Sequence, residues 1–452
     1  MTIFEKVREI YETHYLCAYC LGRMFSLLGT DTTNLERGNS LLLSMLLEAH
    51  RNYLSSDSEK RESGRTHLEL LAENMYYGPA QNVLEKEGIE CHLEEKPKCH
   101  ICKGIFSRIE EFASEAVAKV EDLEFHNLLV GTSPDPEIIN TEDQFKTKFH
   151  LLEAESFKSH FNREVGKCLN DLVDKPTEFS QPDIVFIFHL GYQTLNIELI
   201  IKSVFIYGRY NKLIRGIPQT HWLCGKCQGK GCKECDFTGK RYQTSVEGLI
   251  SEQFIKASHA ADSKFHGAGR EDIDVRMLGN GRPFVLELIK PKVRNLNLEE
   301  IKKIVNTTHE GKVKIQNLRY SDKNEVISLK ENAEDTIKVY EALVESEREI
   351  QNEEFKDTLQ RLQEEMVDQR LQQRTPQRVS HRRADKYRSK KIYAIEAIYL
   401  DTNHFKFTFE TQGGTYIKEL ITGDEGRTSP SISELFETSM KCVELDVIEI
   451  KH

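Results

Sequence analysis

The sequence predicts an α+β fold with more than one domain. With 452 residues, the chain is too long for a single hydrophobic core. Strand and helix signals alternate between residues 127 and 206, which indicates a small α/β unit. Strand-like runs also flank Asn280-Gly281 and recur from residue 391 to the C-terminus, which indicates a second, strand-rich half.

Charge is distributed unevenly along the chain. The formal net charge of −11 argues at first against a nucleic-acid partner, because phosphate contacts come from lysine and arginine. Residues 374–391, however, contain eight basic residues and one acidic residue, whereas residues 341–368 contain ten acidic and three basic residues. A local basic surface on an acidic protein can still bind RNA.

Eight of the eleven cysteines form four Cys-x-x-Cys pairs. No apolar run approaches the length of a membrane span, and the N-terminus lacks the features of a secretory signal. We therefore expect a cytoplasmic protein without a membrane partner. In that compartment the cysteine pairs indicate metal binding rather than disulfides.

The N-terminal region has helical spacing and contains two of the pairs, Cys17/Cys20 and Cys99/Cys102. Tetrahedral zinc takes four thiolates irrespective of their distance in sequence, so one shared structural zinc is the simplest interpretation. Unrelated buried cysteines are the alternative. A zinc deaminase is a competing interpretation, because His92-Leu93-Glu94 precedes the second pair. That match is incomplete, since few residues separate its two halves and Lys98 stands where deaminases have proline.

The middle of the chain combines a predicted α/β unit with a basic, aromatic segment. Strands are predicted at residues 128–131, 182–188 and 195–201, and a helix at 154–172. The segment that follows contains Arg209, Lys212 and Arg215 with two tyrosines. This combination suits RNA, although an ordinary loop is the alternative.

A compact Cys-x2-Cys-x4-Cys-x2-Cys cluster comes next, formed by Cys224, Cys227, Cys232 and Cys235. Its four-residue central spacing is short for structural zinc, so a metal site, reduced thiols and a redox pair are all open interpretations. The run is similar to the zinc repeats of DnaJ-type chaperones, but the sequence contains no His-Pro-Asp.

Asn280-Gly281 predicts a two-residue hairpin, because a type I′ turn needs positive φ at both central residues. The resulting register places Met277 opposite Phe284 and creates one apolar face. The other face carries Asp272 and Asp274, and we expect Asp274 to pair with Arg276. A solvated strand face with ordinary ion pairs is the alternative.

The C-terminal half has helical spacing from residue 331 to 371, and we predict an exposed helical insertion at about 341–373 because this section has few apolar anchors. Pro376 prevents the helix from continuing. Strands are predicted at residues 391–400, 405–410 and 442–450.

Gly269-Arg270-Glu271-Asp272 resembles the Gly-Arg-x-Asp signature in which pseudouridine synthases carry their catalytic aspartate. The strings 209–240, 267–292 and 374–428 resemble the Pus-ten family of archaeal and eukaryotic tRNA pseudouridine synthases. The resemblance implies a zinc-containing THUMP-type tRNA-binding α/β domain, which we place at residues 1–248. It also implies a catalytic domain at 249–452 with a central mixed, largely antiparallel sheet.

Isomerisation of uridine requires an ionised carboxylate near the ribose, and Asp272 fits this role. A nearby cation must keep the pKa of that carboxyl low, and Arg270 and Lys418 are candidates. The resemblance implies that Tyr340 packs on the target base and that Lys418 pairs with the aspartate. A core tyrosine and a surface lysine are the alternatives.

The resemblance also implies a monomer that acts on the T arm of tRNA, at uridines 54 and 55, with structural zinc and no organic cofactor. The residues expected to bind RNA are Arg209, Lys212, Arg215, Arg374, Arg378, Arg382, Arg383 and Arg388. The motifs of THUMP-linked methyltransferases and thiouridine synthases do not occur in the sequence. A non-catalytic tRNA-binding module or RNA chaperone is the surviving alternative.

Overall fold

The computed structural model describes residues 2–92, 95–331, 336–380 and 384–451. The chain forms two compact units, Met1–Lys202 and Ser203–His452, and each unit has its own hydrophobic core. No helix in the described ranges has both the length and the apolar composition of a membrane span.

The first unit consists of a helical region followed by a three-stranded sheet. Its helices and strands are α1 (Ile3–Tyr11), α2 (Ala18–Arg23), α3 (Asn34–Tyr53), α4 (Ser58–Glu69), α5 (Gly78–Lys86), α6 (Ile109–Ala118), β1 (Leu128–Pro134), α7 (Pro136–Lys148), α8 (Phe157–Val173), β2 (Ile184–Leu190) and β3 (Leu195–Ile201). Strand β2 pairs with β1 in parallel and with β3 in antiparallel orientation. Thr2 and Thr33 cap α1 and α3, each in a capping box with a glutamate three residues later. The predicted helical region and α/β unit are confirmed.

The second unit is built on a ten-stranded sheet. Its strands and helices are β4 (Val204–Lys212), α9 (Val246–Ser258), β5 (Asp262–Gly267), β6 (Val275–Ile289), α10 (Leu298–Thr308), β7 (Val313–Ser321), α11 (Lys323–Glu331), β8 (Ile337–Ser346), α12 (Asn352–Met366), β9 (Arg370–Arg374), β10 (Tyr387–Tyr399), β11 (His404–Gln412), α13 (Ile417–Thr422), β12 (Thr428–Ser429), α14 (Ile432–Leu435) and β13 (Met440–Lys451). The strand order is β12-β9-β10-β11-β8-β13-β6-β4-β7, and β5 also pairs with β6. Strands β13 and β6 are parallel, and the other described pairs are antiparallel. The predicted α+β class with a mixed, largely antiparallel sheet is confirmed.

The boundary between the units lies at residues 202 and 203, not at the predicted 248 and 249. The reason is β4, which pairs with both β6 and β7 inside the large sheet. The second cysteine cluster and α9 follow β4 and belong to the second unit as well.

Asn280-Gly281 does not form the predicted hairpin. Residues Val275–Ile289 form one strand, which pairs with β13 in its first part and with β5 in its second part. Positive φ occurs at Gly279 (54°) and Gly281 (72°) and not at Asn280, so the type I′ requirement is not met. The register against β4 shifts here, because one residue of β4, Asn211, lies opposite four residues of β6, 278–281, so the ladder is interrupted. Glycine is required at position 279 because a Cβ there would lie 1.7 Å from the backbone oxygen of Ile448.

The predicted helical insertion at 341–373 is wrong in extent and in exposure. The segment contains the end of β8, helix α12 and strand β9. Ala342 and Val344 alternate with more exposed residues and are buried in the sheet, which is a strand pattern. Helix α12 packs on the sheet, where the rings of Phe355 and Phe405 stack with centroids 4.8 Å apart.

Candidate active site

A pocket of about 440 Å³ lies in the second unit at the loop between β5 and β6. Its lining includes that loop, residues of β6, β8 and β13, and the segment that leads into α13. Asp272, Tyr340, Arg270 and Lys418, the four residues predicted to be catalytic, all line it, together with Arg378. The fold therefore brings together residues that are far apart in the sequence.

Buried polar side chains support the loop that carries Asp272. Glu271 is buried and accepts hydrogen bonds from Tyr210 Oη at 2.9 Å and from Arg282 Nε at 2.8 Å. Tyr210 and Arg282 are themselves buried. The next side chain, Asp272, remains 30% exposed at the pocket. The loop thus combines a fixed backbone with a carboxylate that a ligand can reach.

Arg378 forms an ion pair with the Asp272 carboxylate. Its Nη1 donates to Asp272 Oδ2 at 2.7 Å, and its Nε donates to Glu419 Oε1 at 2.6 Å. Lys418 was expected to pair with Asp272, but its Nζ instead lies 2.5 Å from Asp274 Oδ2. That pairing prediction is wrong, and Arg378, predicted to bind RNA, takes the place next to the carboxylate.

The two remaining arginines of this loop and strand also have specific contacts. Arg276 Nε donates to Asp446 Oδ1 at 2.9 Å, so the predicted pair of Arg276 with Asp274 is wrong. The cause is the parallel pairing of β6 with β13, which places Arg276 and Asp446 in register. Arg270 lines the pocket, and its Cζ lies 5.5 Å from the ring centroid of Trp222.

Tyr340 and Lys338 lie two residues apart on β8, and both line the pocket. Burial raises the pKa of Tyr340 to about 12, so its phenol stays protonated at neutral pH. It can pack on a base or donate a hydrogen bond, but it is unsuited to act as a general base. Burial, together with the nearby charge of Arg282, lowers the pKa of Lys338 to about 7.

The basic residues of β4 and the segment after it contact the backbone of the site. Lys212 is fully buried, and its Nζ donates to the backbone oxygens of Asp272 and Ile273 at 3.1 and 2.9 Å. Its prediction as an RNA-binding residue is wrong, because a buried ammonium cannot reach a phosphate. Arg215 Nη1 donates to Asp274 O at 2.9 Å, and Arg209 Nε donates to Asn280 O at 2.7 Å.

The basic residues after β9 differ in their surroundings. Arg374 forms an ion pair with Asp385 in which Nη2 and Oδ2 are 2.6 Å apart. Arg388 Nη1 donates to Thr375 Oγ1 at 2.8 Å. Arg382 and Arg383 lie outside the described residues.

Both predicted cysteine groups converge in space. In each group the four sulfur atoms lie within 4.8 Å of one another. The sulfur atoms are 3.6 Å apart in Cys17–Cys102, and 3.9, 3.8 and 3.7 Å apart in Cys224–Cys232, Cys227–Cys235 and Cys232–Cys235. Four thiolates at about 2.3 Å from a tetrahedral zinc would lie about 3.8 Å apart. Both groups therefore fit a metal ion, and four protein ligands would leave no open position for substrate.

Comparison with known proteins identifies the family. A family model described as Pus10, C-terminal, matches residues 205–451, and one described as Pus10 THUMP domain, archaeal, matches residues 112–189. The chain belongs to the Pus10 family. The predictions of the Pus-ten family, of a THUMP domain and of a pseudouridine synthase are confirmed at the level of the family.

Relatives in the Pus10 family match over nearly the whole chain. The tRNA pseudouridine synthase Pus10 of Methanocaldococcus jannaschii is 41% identical over 449 residues, which cover 98% of this chain and 93% of that protein. The protein of the same name from Methanopyrus kandleri is 38% identical over 449 residues, with coverages of 99% and 98%.

Sequence reasoning missed several residues of this Pus10-family site. Glu271 lies inside the Gly-Arg-x-Asp motif, but no local sequence pattern indicates that it would be buried in contact with Arg282. Lys338 and Tyr340 are two positions apart, and residues two apart in a strand lie on the same face of the sheet. A strand assignment for β8 would therefore have placed both side chains on one face. The helical assignment concealed that relation.

We expect Arg282→Met to lower the free energy of unfolding of the second unit by about 3–5 kcal/mol, because Glu271 would remain buried without its cation. Urea unfolding of the wild type and of Arg282→Met measures the difference in the free energy of unfolding. Lys256→Met is the matched control, since Lys256 and Glu252 form an exposed pair on α9 worth less than about 1 kcal/mol. Equal losses in the two variants would contradict the importance of the buried pair.

Lys338 should make stability depend on pH. Its pKa is about 7 in the folded chain, against 10.5 for an unperturbed lysine. Between these values the unfolded chain binds the proton and the folded chain does not, so the free energy of unfolding rises with pH. Lys338→Met should reduce this rise, as measured by urea unfolding at pH 7 and pH 10. Lys264→Met, at an exposed residue of β5, should preserve it; an undiminished rise in Lys338→Met would refute the assignment.

Proposed function

We propose that this chain isomerises uridine to pseudouridine in the T arm of tRNA, at positions 54 and 55. The observation that carries the proposal is the placement of Asp272, a carboxylate on a buried scaffold that lines a pocket beside Arg378. The names of the relatives support tRNA as the substrate.

In the proposed reaction, the uridine is flipped into the pocket, and the Asp272 carboxylate acts at C1′ of its ribose. The bond from C1′ to N1 breaks, the uracil turns, and C1′ bonds to C5. The proton on C5 then leaves and N1 regains one, so the product is an isomer of the substrate. Arg378 donates a hydrogen bond to the Asp272 carboxylate and holds it at the pocket, and the neutral phenol of Tyr340 packs on the base.

Arg270 and Lys418 are proposed to supply positive charge at the pocket for the RNA backbone. The proposed RNA-binding residues elsewhere are Arg209, Arg215, Arg374, Arg382, Arg383 and Arg388. Zinc is the metal proposed for both cysteine groups, with a structural role in each case, since four thiolates close its coordination shell. The isomerisation adds no group and transfers no net electrons, so we propose no organic cofactor. We further propose that the enzyme acts as a monomer in the cytoplasm.

A conversion assay on T-arm stem-loop transcripts tests the proposal. Because the product has the same mass as the substrate, conversion is measured by nucleoside chromatography after digestion. We expect pseudouridine in the transcript with uridine at 54 and 55, and none when both are replaced by cytidine. Binding of the first transcript without conversion would favour a non-catalytic tRNA-binding module or RNA chaperone instead.

A further inference from the structure

Trp222 is the single tryptophan of the chain and contacts two arginines. The Cζ of Arg270 lies 5.5 Å from its ring centroid, and the Cζ of Arg241 lies 5.6 Å from it. Arg270 also lines the pocket and precedes Asp272 by two residues. The indole is therefore connected to the loop that carries the proposed catalytic carboxylate.

The second cysteine cluster is attached at the same place. The backbone N–H of Arg241 donates to Trp222 O at 2.8 Å, and that of Cys224 donates to Gly239 O at 2.8 Å. These two bonds join the two ends of the cysteine-containing segment to each other. Gln219, three residues before Trp222, donates from Nε2 to Gly269 O at 3.0 Å. The cluster thus has backbone and side-chain connections that fix it relative to the Asp272 loop within the same unit.

The cluster carries exposed apolar and basic side chains. Leu223 is 62% exposed and Phe237 is 72% exposed. The segment 222–242 contains five basic residues and two acidic ones, in a chain whose formal net charge is −11. Exposed apolar groups next to cations are typical of a ligand-binding surface, and the contact of Trp222 with Arg270 connects this one to the pocket. Unpaired nucleotides complement both features, because bases stack on aromatic rings and guanidinium planes while phosphates meet the cations.

We propose that Trp222, Leu223, Phe237, Arg241 and Arg270 form a second RNA-binding surface, the Trp222 surface, which stacks unpaired bases next to the target uridine. The identity of that RNA rests on the proposed function. Removing a uridine from its stack deprives its neighbours of a stacking partner. The Trp222 surface replaces that contact and thereby holds the target strand at the pocket.

Because Trp222 is the single tryptophan, its fluorescence reports on this surface directly. Titration of the whole protein with a T-arm stem-loop should quench the emission saturably, as a base stacks on the indole. A stem-loop with abasic nucleotides on both sides of the target should bind with less quenching. Unchanged emission at RNA concentrations that saturate binding would overturn the proposal.

Arg241→Ala and Phe237→Ala should each weaken RNA binding about tenfold, since stacking on aromatic and arginine side chains contributes this much per base. The loss should appear in KM more than in kcat. Ile398→Ala is the control, because Ile398 is 60% exposed on β10 of the second unit, lies outside the pocket lining and the segment 222–242, and should leave KM unchanged. Two metal ions per chain in each variant would show that the cysteine cluster is intact.

The two proposals fail in different ways. If the wild type converts uridine but emission and KM do not respond, the Trp222 surface is refuted and the enzymatic assignment stands. If emission is quenched by the stem-loop and no pseudouridine forms, the surface stands and the enzymatic assignment fails.

Discussion

Asp272→Asn should lower the rate of pseudouridine formation by about 10⁴-fold or more, while tRNA binding stays within a few-fold of the wild type. Asparagine has nearly the same size as aspartate and can still contact Arg378, so the pocket should keep its shape. It lacks the negative charge that the reaction requires at C1′. The loss should therefore appear in kcat, measured by single-turnover conversion of a T-arm transcript.

Asp274→Asn is the matched control for this experiment. Asp274 is two residues away, is 65% exposed and pairs with Lys418, but it does not line the pocket. We expect a loss of less than about tenfold, because only a partly exposed ion pair is removed. The assignment would be refuted if Asp274→Asn abolished conversion and Asp272→Asn did not.

The sequence identifies the residues of the site better than their partners. Gly269-Arg270-Glu271-Asp272 is a local string, and it leads to a residue that lines the pocket. The cation beside that residue, Arg378, is more than a hundred positions away and comes from the segment after β9. Its placement depends on how β9, β10 and β12 assemble, which no local pattern specifies.

The wrong predictions of the hairpin and of the helical insertion have the same physical origin. Asn280-Gly281 has strong hairpin propensity, but the two halves of β6 do not pair with each other. They pair with β4, β5 and β13. Residues 341–346 belong to a stretch with helical residue spacing, but they pair with β11 and β13 and therefore form a strand. In both cases long-range pairing overrides local preference.

Cys20→Ser should lower the metal content from two ions per chain to one and unfold the first unit. Cys20, Cys99 and Cys102 are buried and belong to the hydrophobic core of that unit. The apparent binding free energy of a structural zinc is about 10 kcal/mol or more, which is comparable to the stability of a whole domain. Calorimetry should therefore show loss of the transition of the first unit, and elemental analysis should show one metal.

The separate cores make this prediction specific. Residues of the first core all precede Lys202 and those of the second all follow it, so the transition of the second unit should persist in Cys20→Ser. Cys227→Ser should also remove one metal but leave the first transition in place. Cys168→Ser, outside both groups, should change neither quantity. If Cys20→Ser kept two metals and an unchanged first transition, the four thiols would be packing residues, and the first unit would owe its stability to its apolar core alone.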